Sequence, residues 1–146
     1  MALYVAICLL GVLTAVGERA DAGHADVFAI VWGTTLGLAL AHWFAFRVSA
    51  RLVADGTFGR HDARSAAAQL GGALAVAVLA TVPIAALPAT AELDVVRLLL
   101  AGFIAGVGFA VARAGGAGTA RSAVYAATIL VLAVTIAVVK NVLSGH

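Results

Sequence analysis

Between Asp26 and Arg47 the chain runs from Val27 to Phe46, VFAIVWGTTLGLALAHWFAF, without a formal charge. At a rise of ~1.5 Å per residue, about twenty residues cross a ~30 Å hydrocarbon layer once, so this stretch predicts a membrane-spanning helix. The same design recurs on both sides of it. Ala2 to Gly17 is a first apolar run, slightly short for a crossing. Ala66 to Ala89 is a third, rich in alanine, with Pro83 expected to kink it and Pro88 to end it. Val95 to Ala112 is a fourth and Ala123 to Val139 a fifth. The expectation is an all-α, polytopic integral membrane protein with five transmembrane helices in one domain over residues 1–146. The alternative is four spans and an interfacial N-terminal helix. The first run has no Lys or Arg before Arg19, so it lacks the basic leader segment of a signal peptide and is read as a span.

The polar stretches between the runs read as connections. Glu18 to Asp26 and the Glu92–Asp94 pair are acidic turns, and Arg47 to Arg64 is a basic loop. In that loop Asp55-Gly56 and Gly59 mark a turn, and Asp62 is placed to cap the next helix. Arg113 to Ser122, RAGGAGTARS, is a glycine-rich flexible connector; it lacks the lysine of a phosphate-binding loop. Arg47, Arg51, Arg60, Arg64, Arg113 and Arg121 all fall on one side of the alternating spans. Arg19, Arg97 and Lys140 fall on the other, together with most of the acids. The excess of arginine on one side predicts a cell (inner) membrane protein with its N-terminus cytoplasmic and its C-terminus outside.

Composition narrows the class further. Of 146 residues 64% are hydrophobic and 11% charged, which leaves too little polar material to cover a water-soluble globule. The net charge is only +2 and the arginines fall singly at span ends, so no nucleic-acid footprint is present. A single cysteine, Cys8, excludes an internal disulfide framework and any multi-cysteine metal site. With His42 the only histidine inside a span, a bis-histidine haem is excluded as well, and no cofactor is expected. No serine, cysteine and histidine set suggests nucleophilic catalysis, so an enzyme is not expected either.

Within the spans, small residues recur at helical spacing. Gly33 and Gly37 form one G-x-x-x-G pair and Gly102 and Gly106 a second, while Ala101, Ala105, Gly108 and Ala112 make a continuous small stripe. Such faces let helices approach closely where lipid removes the hydrophobic drive for association. Opposite Gly33 and Gly37 lie Val31, Thr35 and His42, a more polar side. His42 reads either as an interfacial or packing histidine, about one turn from Arg47, or as a pathway residue. Glu18, Arg97 and Lys140 should lie near one depth outside, where Lys140 either snorkels to headgroups or pairs with Glu18 at an outer mouth. The turn residues Glu18, Asp21, His24 and Asp26 offer too few nitrogen or sulfur ligands for zinc and no EF-hand spacing, so they read as a solvated turn. Thr128 and Thr135 share a face of the fifth span and are expected to bond their own backbone.

The run Gly33-Thr34-Thr35-Leu36-Gly37-Leu38-Ala39-Leu40-Ala41-His42, with the Val138-Val139-Lys140 ending, resembles a group of small integral membrane proteins of GC-rich bacteria. These carry a G-T-x-L-x-L-x-L-A-H pattern in an early span and a lysine near the end of the last. The resemblance implies the layout and draws attention to His42 and Lys140; it implies no activity. The functional expectation is a small oligomeric membrane channel or permeation protein with His42 as a pH-sensitive element. Its pathway candidates are His42, Thr35, Glu18 and Lys140, and its partners are the lipid bilayer and further copies of itself. The alternative is a non-catalytic scaffold or accessory subunit beside a membrane-protein partner.

Overall fold

The computed structural model describes residues 1–16, 23–53 and 60–144. It is all-helical, with α1 (Ala2–Val16), α2 (His24–Val53), α3 (Arg60–Ala86), α4 (Ala89–Ala114) and α5 (Thr119–Ser144). Four helices are long and apolar enough to cross a membrane: His24–Ser49, Ala63–Ala86, Ala91–Ala114 and Thr119–Ile136. These mark a membrane protein. Helix α1 has 15 residues, about 22 Å of rise, and is the shorter apolar helix of the four-span alternative.

Short as it is, α1 packs against each of the other four helices. Val5, Ala6, Leu9 and Leu13 are fully buried there, against a core that includes Val31, Val76, Leu100 and Ile104. That core is dry and aliphatic. In lipid, where tails are as apolar as leucine, its cohesion comes from van der Waals contact between well-fitted side chains. The close approaches fall on small residues. A Cβ added at Gly108 of α4 would lie 3.1 Å from Ile129 Cδ1 and 3.3 Å from Ala126 Cα of α5. One added at Gly72 of α3 would lie 3.2 Å from the Ala2 Cβ of α1.

Polar ties supplement this packing at several depths. In the half of the α2–α3 pair nearer Asp26, Trp32 Nε1 donates to Thr81 Oγ1 at 3.0 Å, while that hydroxyl donates to Ala77 O at 2.8 Å. At the end of the bundle carrying Asp26, Glu92 and Asp94, Arg97 Nη2 donates to Leu13 O at 2.8 Å and Nη1 to Asp94 Oδ1 at 3.0 Å. Leu13 lies in the last turn of α1, where carbonyls have no intrahelical partner. The guanidinium therefore satisfies a bare acceptor and sits at the negative end of that helix. We call this the acidic end and the opposite one, with Arg47, Arg64, Arg113 and Arg121, the basic end. At the basic end the Arg47 guanidinium lies 5.3 Å from the Trp43 ring centroid.

Three connections differ from the sequence expectation. The basic loop is shorter than Arg47 to Arg64, because α2 continues to Val53 and α3 begins at Arg60; Asp62 therefore lies inside α3 and does not cap it, while Asp55-Gly56 and Gly59 fall outside the described residues. Helix α4 begins at Ala89, about six residues before the expected start, so Glu92 and Asp94 belong to its first turns and not to a separate loop. Pro88 explains the early start: its extended backbone (φ −66°, ψ 151°) presents a carbonyl that accepts from Ala91 N at 2.9 Å and Glu92 N at 3.2 Å. The glycine-rich connector after α4 is an ordered turn. Ala117 N donates to Ala112 O at 3.1 Å and Gly116 N to Arg113 O at 3.0 Å, a Schellman closure that requires the left-handed φ of +84° taken by Gly116. Arg113 Nη1 closes it further by donating to Ala117 O at 3.0 Å.

Candidate functional site

The ionisable groups of the spanning region collect at the two ends of the bundle. Near the basic end, the face of α2 formed by Val27, Val31, Thr35 and Ala39 is buried, and His42 continues it to where the bundle opens. The His42 ring is exposed, and its Nε2 is hydrogen-bonded to Gln69 Oε1 of α3. A groove lined by His42, Tyr4, Leu38 and Met1 opens between α1 and α2. A second, apolar groove of about 370 Å³ runs up the α2–α3 seam past Thr35, Leu36, Leu40, Trp43 and Leu74. His42 and Gln69 thus form a polar pair about one turn inside Arg47, with His42 lining the first of these grooves.

Thr35 is fully buried, with its hydroxyl donating to Val31 O at 2.7 Å. It is satisfied by its own helix and presents no free polar atom to a pathway. Thr128 and Thr135 likewise donate to Val124 O and Val131 O, at 2.9 and 2.8 Å. Glu18 lies outside the described residues. Lys140 falls within α5, and its side chain lies outside what the structure describes.

The small-residue positions separate into two sets. Gly108 is buried against α5, and Ala101, Ala105 and Ala112 beside it are half-buried. Gly33, Gly37, Gly102 and Gly106 are exposed, and a Cβ added at any of them meets nothing within 4 Å. Among the described residues of one chain, no helix sits on either G-x-x-x-G pair.

At the acidic end the structure assembles a group of side chains that the sequence pattern assigns to solvated turns. Glu92 is 1% exposed, and its Oε2 lies against Nδ1 of His24, whose side chain is half-exposed at the start of α2. Among the described residues, neither carboxylate oxygen receives a hydrogen bond of ordinary geometry, so the imidazole nitrogen is the polar group that meets the buried acid. Two helix N-termini meet at this point, and both favour a negative group. Asp26, also in the first turn of α2, instead accepts from Gly23 N at 3.2 Å. The missed signal was register: Glu92, Val96, Leu100 and Ile104 recur every four residues, and the last three are all fully buried.

No protein family matches the chain, and neither a curated protein nor a solved structure is significantly similar to it. The resemblance to small membrane proteins of GC-rich bacteria therefore rests on the His42 run and the Lys140 ending alone.

Proposed function

We propose that this protein is a small oligomeric permeation protein of the cell membrane, passing protons or small ions along a route that copies of the chain complete together. The observation that carries the reading is the His42–Gln69 pair, an ionisable ring and an amide on the apolar stretches of α2 and α3, with His42 lining the groove between α1 and α2. Polar groups at membrane depth are costly, and they face protein or water where they persist. The aliphatic core around α1 supplies no polar lining through a single chain, which favours a route between copies. The open faces at Gly33 and Gly37, and at Gly102 and Gly106, suit such copies, since bare glycines let helix backbones approach closely. In this reading α1 completes a five-span bundle, the basic end faces the cytosol, and Glu18 and Lys140 stand at the outer mouth.

Proton or ion flux into liposomes holding the purified protein tests the reading. Wild type is expected to conduct, with a rate that responds to pH, and His42→Ala to lower that rate by tenfold or more, about 1.4 kcal/mol in barrier. Absence of flux at every pH removes the permeation reading. Equal flux in wild type and variant removes the histidine from it. A second reading is that the protein is an accessory subunit of a membrane complex, and the same dry core favours it, because a scaffold needs no route. A stoichiometric membrane-protein partner retained in mild detergent, with no flux from the protein alone, would decide for it.

A further inference from the structure

A buried carboxylate without hydrogen bonds has few stable states. Left ionised and unpaired in an apolar surround it costs several kcal/mol, so it is either matched by a positive group or holds a proton. Glu92 is 1% exposed, receives no hydrogen bond at either oxygen among the described residues, and touches one imidazole nitrogen of His24. His24 is half-exposed, so the ring bridges solution and the buried acid.

From this we infer that Glu92 is a proton-binding site at the acidic end of the bundle, filled from the adjoining solution through His24. The transfer is balanced by the two nitrogens of one ring. A proton from water adds to Nε2, the proton on Nδ1 passes to Glu92 Oε2, and the imidazole is left neutral with its remaining proton on Nε2. The carboxylate becomes a neutral carboxylic acid, a form far less costly to bury than the ionised group. Reversal returns the proton by the same two nitrogens.

The other charged groups near this end are accounted for on each element. On α2, Asp26 is exposed and bonded to Gly23 N. On α4, Asp94 is exposed and holds Arg97, which is committed to Leu13 O of α1. The last turns of α1 and α3 carry no charged residue; on α5, Lys140 falls toward this end, and its side chain, like Glu18, Arg19 and Asp21, lies outside what the structure describes. The inference goes beyond the permeation reading and stands without it, because a site that binds a proton need not pass one on.

Infrared difference spectroscopy between acid and neutral pH, on the purified full-length protein in detergent, tests the site apart from any flux. The chain has two glutamates, at positions 18 and 92. Glutamate carrying ¹³C in its side-chain carboxyl, incorporated into Glu18→Gln protein, therefore marks Glu92 without altering it. The expected result is an isotope-shifted carbonyl band of a protonated carboxylic acid that grows on acidification and is missing from Glu92→Gln. In heavy water that band shifts as its proton exchanges for deuterium, and His24→Gln is expected to slow the shift on the order of a hundredfold, the scale of a positioned general acid–base group. A band that never appears in labelled protein, or that survives in Glu92→Gln, overturns the site. An exchange rate unchanged in His24→Gln overturns the relay. Should Glu92→Gln fail to fold, the labelled protein and His24→Gln still decide both points, and flux in liposomes is scored separately.

Discussion

Helix α4 presents two faces of small residues that a sequence pattern treats alike and the structure uses differently. Ala101, Ala105, Gly108 and Ala112 lie within about 60° of one another around the axis, and Gly102 and Gly106 lie roughly 100° further round. The first face is closed by α5, with Gly108 so near Ala126 and Ile129 that a methyl group would be crowded. The other is turned away from the bundle with nothing near it, as are Gly33 and Gly37 on α2. Small residues at four-residue spacing state that a close approach is permitted. They do not state whether the approaching helix belongs to the same chain.

The largest test of this difference is Gly108→Leu. Four added carbons would have to displace the Ala126 backbone, and we expect the thermal midpoint in detergent to fall by the equivalent of about 3 kcal/mol, the upper range for overpacking. A midpoint within a degree of wild type would mean that the α4–α5 seam is not closed as described. Smaller is Trp32→Phe, which removes the donor to Thr81 Oγ1 but leaves that hydroxyl bonded to Ala77 O. A loss near ~0.6 kcal/mol is expected, typical of interhelical hydrogen bonds inside membranes. A loss above ~2 kcal/mol would show that the indole carries packing that its hydrogen bond does not represent. Smallest for the single chain is Gly102→Leu combined with Gly37→Leu. Stability should stay within ~0.5 kcal/mol of wild type, as for substitutions into open space, while chemical crosslinking in vesicles should lose its multimeric species. Unaltered crosslinking would leave both glycine pairs without an assigned partner.

Much of the layout was legible because the apolar runs are long and the arginines fall on one side. Val27 to Phe46 lies inside α2 as described, and the alternation of connections puts His42 and Arg47 toward one end and Glu92 toward the other. What was not legible is instructive. Glu92 and Asp94 resemble a turn because two acids interrupt an apolar pattern, yet Pro88 starts the helix before them and the four-residue register carries Glu92 inward with Val96. RAGGAGTARS resembles a linker because glycine has no preferred conformation of its own, whereas here one glycine is held at positive φ by two carbonyls of the preceding helix. The exposure of His42 was not legible from its own helix. Its angle on α2 matches buried neighbours, yet it lies on the groove it shares with Met1 and Tyr4 and is exposed.

The position of α1 also sets the order in which the bundle can be assembled. Of the five helices it leaves the ribosome before the other four, and yet its neighbours include α5, which follows them all. Until translation reaches the Ala126–Ala133 region, one flank of Leu9 and its companions has lipid or a foreign helix for company. Insertion of the hairpins can proceed pair by pair, but final closure must wait for the C-terminal segment, as it does in any topology dominated by contacts distant along the chain. A chain released before α5 is made would carry an exposed seam along α1, and that unfinished surface is where cellular quality control would meet it first.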